Sequence, residues 1–253
     1  MIEKILSEAV AAAPGRTAAM LCELESGRTL YEYNATVVMP SASTIKVAIM
    51  AEAMRRAETE GPGLDTQIAV PPEEKLEDSI IGLLEADSFS LADLTTLMII
   101  MSDNTATNVL IKLLGMENIN AYASGLGLAA TVVRRKMLDF EAARRGLDNT
   151  TTAADLAGLF GLIGNGKLPG SARMLDILIH QKQGAFRRRL SDDVKIAHKP
   201  GGLATLAHDA GIFFLPTGNY VFCLLADGAP NPACQEYIGE TTFKLYDELT
   251  KGV

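Results

Sequence analysis

Tryptophan is absent from this 253-residue chain, aromatic residues make up 6%, and there are only three cysteines and three histidines. Cys22, Cys223 and Cys234, with His180, His198 and His208, are too few and too scattered for a Cys/His zinc site. No His-Glu-x-x-His occurs either, so no metal is expected. An odd cysteine count gives no disulfide framework, and Cys22 and Cys223, both in strand-like runs, read as two separately buried thiols. No apolar run reaches the ~18 residues of a membrane-crossing helix. The opening stretch Met1 to Glu8 is acidic and amphipathic, unlike an export signal, so no such segment is expected and the compartment stays open. Basic residues are outnumbered, 23 against 31 acidic, and the resulting formal charge of −8 repels phosphate backbones. Nucleic acid is therefore not an expected partner, and no motif implies a cofactor.

What is present is apolar bulk: 48% hydrophobic residues, among them ten methionines, enough for one large domain or two lobes with a helix-rich interior. Residues 2–12 read as a helix, followed by strand-like runs at 17–24 and 29–33 joined by Glu25-Ser26-Gly27-Arg28, a hairpin signal. From Thr44 to about Leu190 the spacing is helical, with segments at 44–57, 91–101 and 105–114, the last stopped by Gly115. Strands return at 194–198, 210–215 and 220–225, and a closing helix carries Ile238, Thr242, Leu245 and Leu249 on one face. This order predicts an α+β fold of three-layer α/β/α type: an antiparallel sheet of about five strands covered by terminal helices, with an inserted all-helical lobe. Residues 1–38 and 190–253 are assigned to the sheet lobe and 39–189 to the helical lobe, with the active site in the cleft between them.

Three short motifs carry chemistry. Pro40-Ser41-Ala42-Ser43-Thr44-Ile45-Lys46 places Ser43 at the start of an apolar helix and Lys46 one turn later on the same face. A serine hydroxyl needs a base, and a desolvated lysine is one, although a plain helix that begins with Ser and carries a Lys would look the same. Ser102-Asp103-Asn104 falls at a break between two helices, where capping alone would also explain it. Lys199-Pro200-Gly201-Gly202 closes a strand-like run, and Pro200 argues that this strand borders something open. A second Lys-x-Gly, Lys182-Gln183-Gly184, does not lie on a strand.

Taken together and in this order, Ser-x-x-Lys, Ser-Asp-Asn and Lys-x-Gly resemble the serine β-lactamase and penicillin-binding protein superfamily, and Ser-Asp-Asn favours its class A branch. Asp148-Asn149-Thr150-Thr151-Thr152 is similar to the stretch that closes that family's omega loop. The resemblance implies Ser43 as nucleophile, Lys46 as proton acceptor or relay, and Ser102 as proton donor to the leaving nitrogen. It further implies that Asn104 binds the substrate's side-chain amide, that Lys199 attracts the substrate carboxylate, and that Gly201 and Gly202 line the binding site. The N–H groups of Ser43 and Gly202 would form the oxyanion hole. His198, His208 and Asp209 need no catalytic role, since no Gly-x-Ser-x-Gly elbow accompanies them.

Two departures bear on function. The family's Glu-x-x-Leu-Asn is missing from residues 134–146, leaving Asp139 and Glu141 as the nearby carboxylates; Glu141 is the candidate deacylation base, the alternative being a surface ion pair with Arg135 or Arg144. Pro200 stands where the family has a hydroxyl residue, which weakens carboxylate recognition. The expected activity is a β-lactamase-like serine hydrolase opening β-lactam amides through an acyl-enzyme on Ser43, with deacylation the step expected to be slow. An esterase or D-amino-acid peptidase of the same fold, and a penicillin-binding sensor that stays acylated, remain open alternatives. The expected partner is a small β-lactam, ester or amide substrate, and the chain is expected to be a monomer.

Overall fold

The computed structural model describes residues 1–59, 61 and 63–251. Helix α1 (Ile2–Ala11) leads into the hairpin β1 (Arg16–Glu23) and β2 (Thr29–Tyr33), whose turn uses Gly27 at φ +69°. The short strand β3 (Met39–Pro40) precedes a 3-10 turn (Ala42–Ile45), which runs directly into α2 (Lys46–Thr59). Then come β4 (Gln67–Ala69), α3 (Ile80–Leu83), β5 (Ser88–Ser90), α4 (Leu91–Ile100), α5 (Asn104–Leu114) and α6 (Met116–Gly125). Local chemistry sets these boundaries: Ser90 and Asp93 form a capping box on α4, Asp103 caps α5, and Gly115 at φ +81° ends it. Helix α7 (Phe140–Arg144), strand β6 (Thr150–Thr151), α8 (Ala153–Gly164) and α9 (Ser171–Ile179) complete the middle of the chain. Three long strands follow, β7 (Lys195–Leu203), β8 (Leu206–Leu215) and β9 (Gly218–Asp227), and α10 (Asn231–Leu249) closes the fold.

The five long strands form one antiparallel sheet in the order β2-β1-β9-β8-β7, so both ends of the chain build it. Each face has its own core. On one side Ala18, Ala197, Ile212 and Val221 meet the apolar faces of the inserted helices, including Ile49, Leu110 and Phe160. On the other, Leu21, Phe213, Phe222 and Leu224 pack under Leu6 of α1 and Ile238 and Leu245 of α10. Burial on both faces explains why β8 reads as a nearly continuous apolar run rather than an alternating one.

The expected three-layer α+β architecture is what the chain adopts. Two details differ. The middle stretch is not all helix, because β3 pairs with β6 and β4 with β5 in two small antiparallel ribbons. Strand β7 runs on to Leu203 instead of ending at 198, so Lys199 and Pro200 lie inside it, Pro200 opposite Asp209. An edge strand tolerates this proline because the missing N–H falls on its unpaired side.

Candidate active site

The 3-10 turn brings Ser43 to the cleft one turn before Lys46. Ala42, immediately before the serine, sits at φ +45°, and Ser102 at φ +54°; both are left-handed conformations that L side chains rarely adopt, and strain of this kind concentrates at functional sites. Gly201 of β7 packs on the turn so closely that a Cβ there would lie 3.0 Å from Ser43 N and 3.1 Å from Thr44 N. The strand and the Ser43 turn are thus in close backbone approach, and a side chain at Gly201 would push the turn outward by a few tenths of an ångström.

Lys46 is completely buried, and its Nζ lies 2.6 Å from the Ser102 carbonyl, 3.1 Å from Ser102 Oγ and 2.9 Å from Asn104 Oδ1. Lys199, equally buried, donates to the same Ser102 Oγ at 3.1 Å and to the Pro200 carbonyl at 2.9 Å. Neither amine has a carboxylate partner among the described residues. Burial, and then the neighbouring charge of Lys199, hold the Lys46 amine well below the ordinary lysine range. Burial brings Lys199 down to about 7, with Asp209 opposing the shift. Two of Lys46's three contacts are carbonyl oxygens that can only accept, so a neutral amine spends both N–H groups there. Its lone pair is then left for a hydroxyl proton.

The sequence-predicted residues Ser43, Lys46, Ser102, Asn104, Lys199, Gly201 and Gly202 therefore converge. Ser43, Ser102, Lys199, Gly201 and Gly202 line a cavity of about 380 Å³, and Ser43, Asn104 and Gly202 also line an adjoining space of about 80 Å³. No metal-binding group of acidic, His or Cys side chains occurs among the described residues. His208 borders the larger cavity, but its ring is committed to the backbone, with Nε2 2.9 Å from the Pro40 carbonyl. His198 and Asp209 form a fully buried pair at 2.8 Å behind the wall, and Asp209 also accepts from the Phe186 N–H.

The loop opposite is less as expected. Arg135 pairs with Asp148 at 2.7 Å, not with Asp139 or Glu141, and closes the base of the loop. Asp139 caps α7 through the Ala142 N–H, and Arg144 donates to the Phe140 carbonyl. Glu141 is exposed on α7, its carboxylate has no ion pair or hydrogen bond among the described residues, and it lines neither cavity beside Ser43. From this loop Arg135, Leu138, Phe140 and Met137 line the smaller cavity that Ser43 borders, and sequence reasoning missed Met137. Asn108 fixes its main chain in both directions, accepting from Met137 N at 2.7 Å and donating to its carbonyl at 3.3 Å. The only available signal was an apolar pair, Met137-Leu138, directly after the basic run Arg134-Arg135-Lys136. Among the described residues that line the two cavities there is no Asp or Glu.

A family model described as the beta-lactamase enzyme family matches residues 1–249. Among solved structures the chain is similar to PBP-A, at 27% identity over 98% of this chain and 95% of that one with a TM-score of 0.86, and equally to a PBP-A variant in acyl-enzyme complex with penicillin G. It is also similar to an ancestral class A β-lactamase, at 25% identity over 98% and 99% with a TM-score of 0.87. A β-lactamase of Sphaerobacter thermophilus shares the fold at 24% identity over 97% and 96%, with a TM-score of 0.86.

Proposed function

This chain belongs to the beta-lactamase enzyme family, and from that premise we propose that β-lactams acylate Ser43 and that the acyl group leaves slowly. Neutral Lys46 takes the Ser43 proton as Oγ bonds to the lactam carbonyl carbon, the hydroxyl swinging toward the amine as the substrate tightens the site. The carbonyl oxygen gathers charge against the N–H groups of Ser43 and Gly202. The lactam C–N bond then breaks, and the nitrogen receives a proton from Ser102, which Lys46 replenishes across their 3.1 Å contact. Lys199, charged below about pH 7, attracts the substrate carboxylate. Asn104 offers its amide to the carbonyl of the acyl side chain.

The observation that carries the reading is the shared hydroxyl of Ser102 between two buried lysines of depressed pKa, beside Ser43. Slow release is supported by the lining of the Ser43 cavities, which includes Met137 and no carboxylate, so no Asp or Glu stands ready to activate water. The PBP-A variant in acyl-enzyme complex with penicillin G lends the reading a structural parallel. The test is intact-mass spectrometry after mixing with benzylpenicillin, together with turnover of a chromogenic cephalosporin. A single persistent adduct that vanishes in Ser43→Ala is expected. An adduct retained in Ser43→Ala would sink the site assignment, and rapid sustained turnover would sink slow release.

A further inference from the structure

The mouth of the site carries a carboxylate that the acylation chemistry leaves unused. Asn104 gives its Oδ1 to Lys46, and one N–H of its amide goes to Asp78 Oδ2 at 3.0 Å, leaving the second N–H for a substrate carbonyl. Asp78 is exposed, and its Oδ1 accepts no hydrogen bond from any described residue. The segment that bears it is stitched to the Ser102–Asn104 junction. Ile81 N donates to Asp103, the Ser79 and Thr105 hydroxyls meet at 2.6 Å, and Leu76 N donates to Thr105. Asp78 is thereby fixed one hydrogen bond from the atom that meets the acyl side chain.

The surroundings favour a cation at that point. Residues 73–87 hold Glu73, Glu74, Glu77, Asp78, Glu85 and Asp87 against Lys75 alone, and Lys75 is spent on the carbonyls of Leu84 and Ala86. Arg135, the cation lining the space that Asn104 borders, is neutralised by Asp148. Asp78 Oδ2 lies 3.0 Å from the Asn104 nitrogen that would meet the side-chain carbonyl, so a positive group on the carbon next to that carbonyl would be a near neighbour of the carboxylate.

We infer that Asp78 is a specificity-determining residue that selects acyl donors carrying an ammonium group beside the side-chain carbonyl. The inference rests on the proposed acylation of Ser43 and on Asn104 meeting that carbonyl. Ampicillin, benzylpenicillin and carbenicillin share one nucleus and place an ammonium, no charge and a carboxylate, respectively, at the position in question. Their second-order acylation constants are to be measured by intact mass at low salt, at a pH where the ampicillin amine is charged. In the wild type ampicillin should exceed benzylpenicillin by roughly three- to fivefold, the effect of one exposed charge pair, and carbenicillin should be the slowest. Asp78→Asn keeps an acceptor for Asn104 and removes the charge, so the three constants should converge; Asp78→Lys should invert their order. Any general effect on Lys46 or on folding moves all three together and leaves the ratios intact. Adducts that form with the same ratios in wild type and Asp78→Asn would overturn this inference alone. No adduct with any of the three would overturn the acylation reading and this inference with it.

Discussion

Ser102 holds its single hydroxyl 3.1 Å from each of two lysines, and the pair of contacts makes the site's protonation state interdependent. With both amines charged, two buried cations would share one small dipole; removing one proton relieves that repulsion and turns Lys46 into a base. Lys199 then keeps its charge only below about pH 7 and is neutral above it. The sign of the consequence is fixed. Acylation by an anionic penicillin, measured as the second-order constant of the free enzyme, should fall as pH rises through about 7, while acylation by a neutral p-nitrophenyl ester should lack that limb. Parallel profiles for the two substrates would remove Lys199 from carboxylate attraction. Ser43, Lys46 and Asn104 could be singled out as candidates because each motif is local, their roles coming only from the family resemblance of the three motifs together. Their meeting was not legible, since Lys46 and Lys199 reach Ser102 across 56 and 97 residues of chain. Asp78 left no local mark at all.

Among the elements, the loop from Arg134 to Asp148 is the one that, under the proposed acylation, would set how long an adduct survives. Its base is tied by the Arg135–Asp148 pair and by Asn149, whose side chain accepts from the N–H groups of Arg134 and Arg135. Its middle is held by Asn108, which fixes the main chain of Met137 where its side chain lines the smaller cavity beside Ser43. Glu141→Gln should therefore leave the lifetime of the benzylpenicillin adduct unchanged. Met137→Glu puts a carboxylate where it can activate water, and should shorten that lifetime by about tenfold or more, at the cautious end of what a positioned general base contributes. Both are read by following the adduct mass with time; a shortened or lengthened lifetime in Glu141→Gln alone would reassign the base. The sequence reading weighed Asp139 and Glu141 because charge is visible in a string of letters. Which residue of a looped segment faces inward depends on contacts with Asn108 and Asn149, and these come from distant segments. The length of strand β7 was underestimated for a related reason: Pro200 correctly marks an edge, but only the sheet order and register show the strand continuing through it to Leu203.

At the scale of the molecule, the sheet separates two cores, and both reach the site: Met137 of the first lines the smaller cavity beside Ser43, and Ala185 and Ala207 of the second line the larger one. Phe160 belongs to the core shared with the inserted helices, and Phe222 to the core beneath α1 and α10. Each is fully buried, so truncation to alanine should cost about 3–5 kcal/mol of stability by denaturant titration. Phe222 stacks on Phe186 at 5.5 Å, next to Ala185 of the larger cavity, so Phe222→Ala should slow acylation as well as lower stability; wild-type acylation at low temperature would mean that this core does not position the site. This two-sided arrangement was readable from helices at both ends of the chain flanking strand-rich stretches, and from the nearly unbroken apolar run of β8.

Pro200 shows how this fold disposes of a sheet edge. It lies in β7, the last strand of the sheet, its nitrogen carries no hydrogen, and its carbonyl is taken by Lys199 at 2.9 Å. Pro200 borders the Ser43 cavity and Gly201 beside it packs on the Ser43 turn, so the site itself covers this stretch of the edge and leaves no ladder there for a second chain. The cleft is thus also what closes the sheet against strand addition at that point.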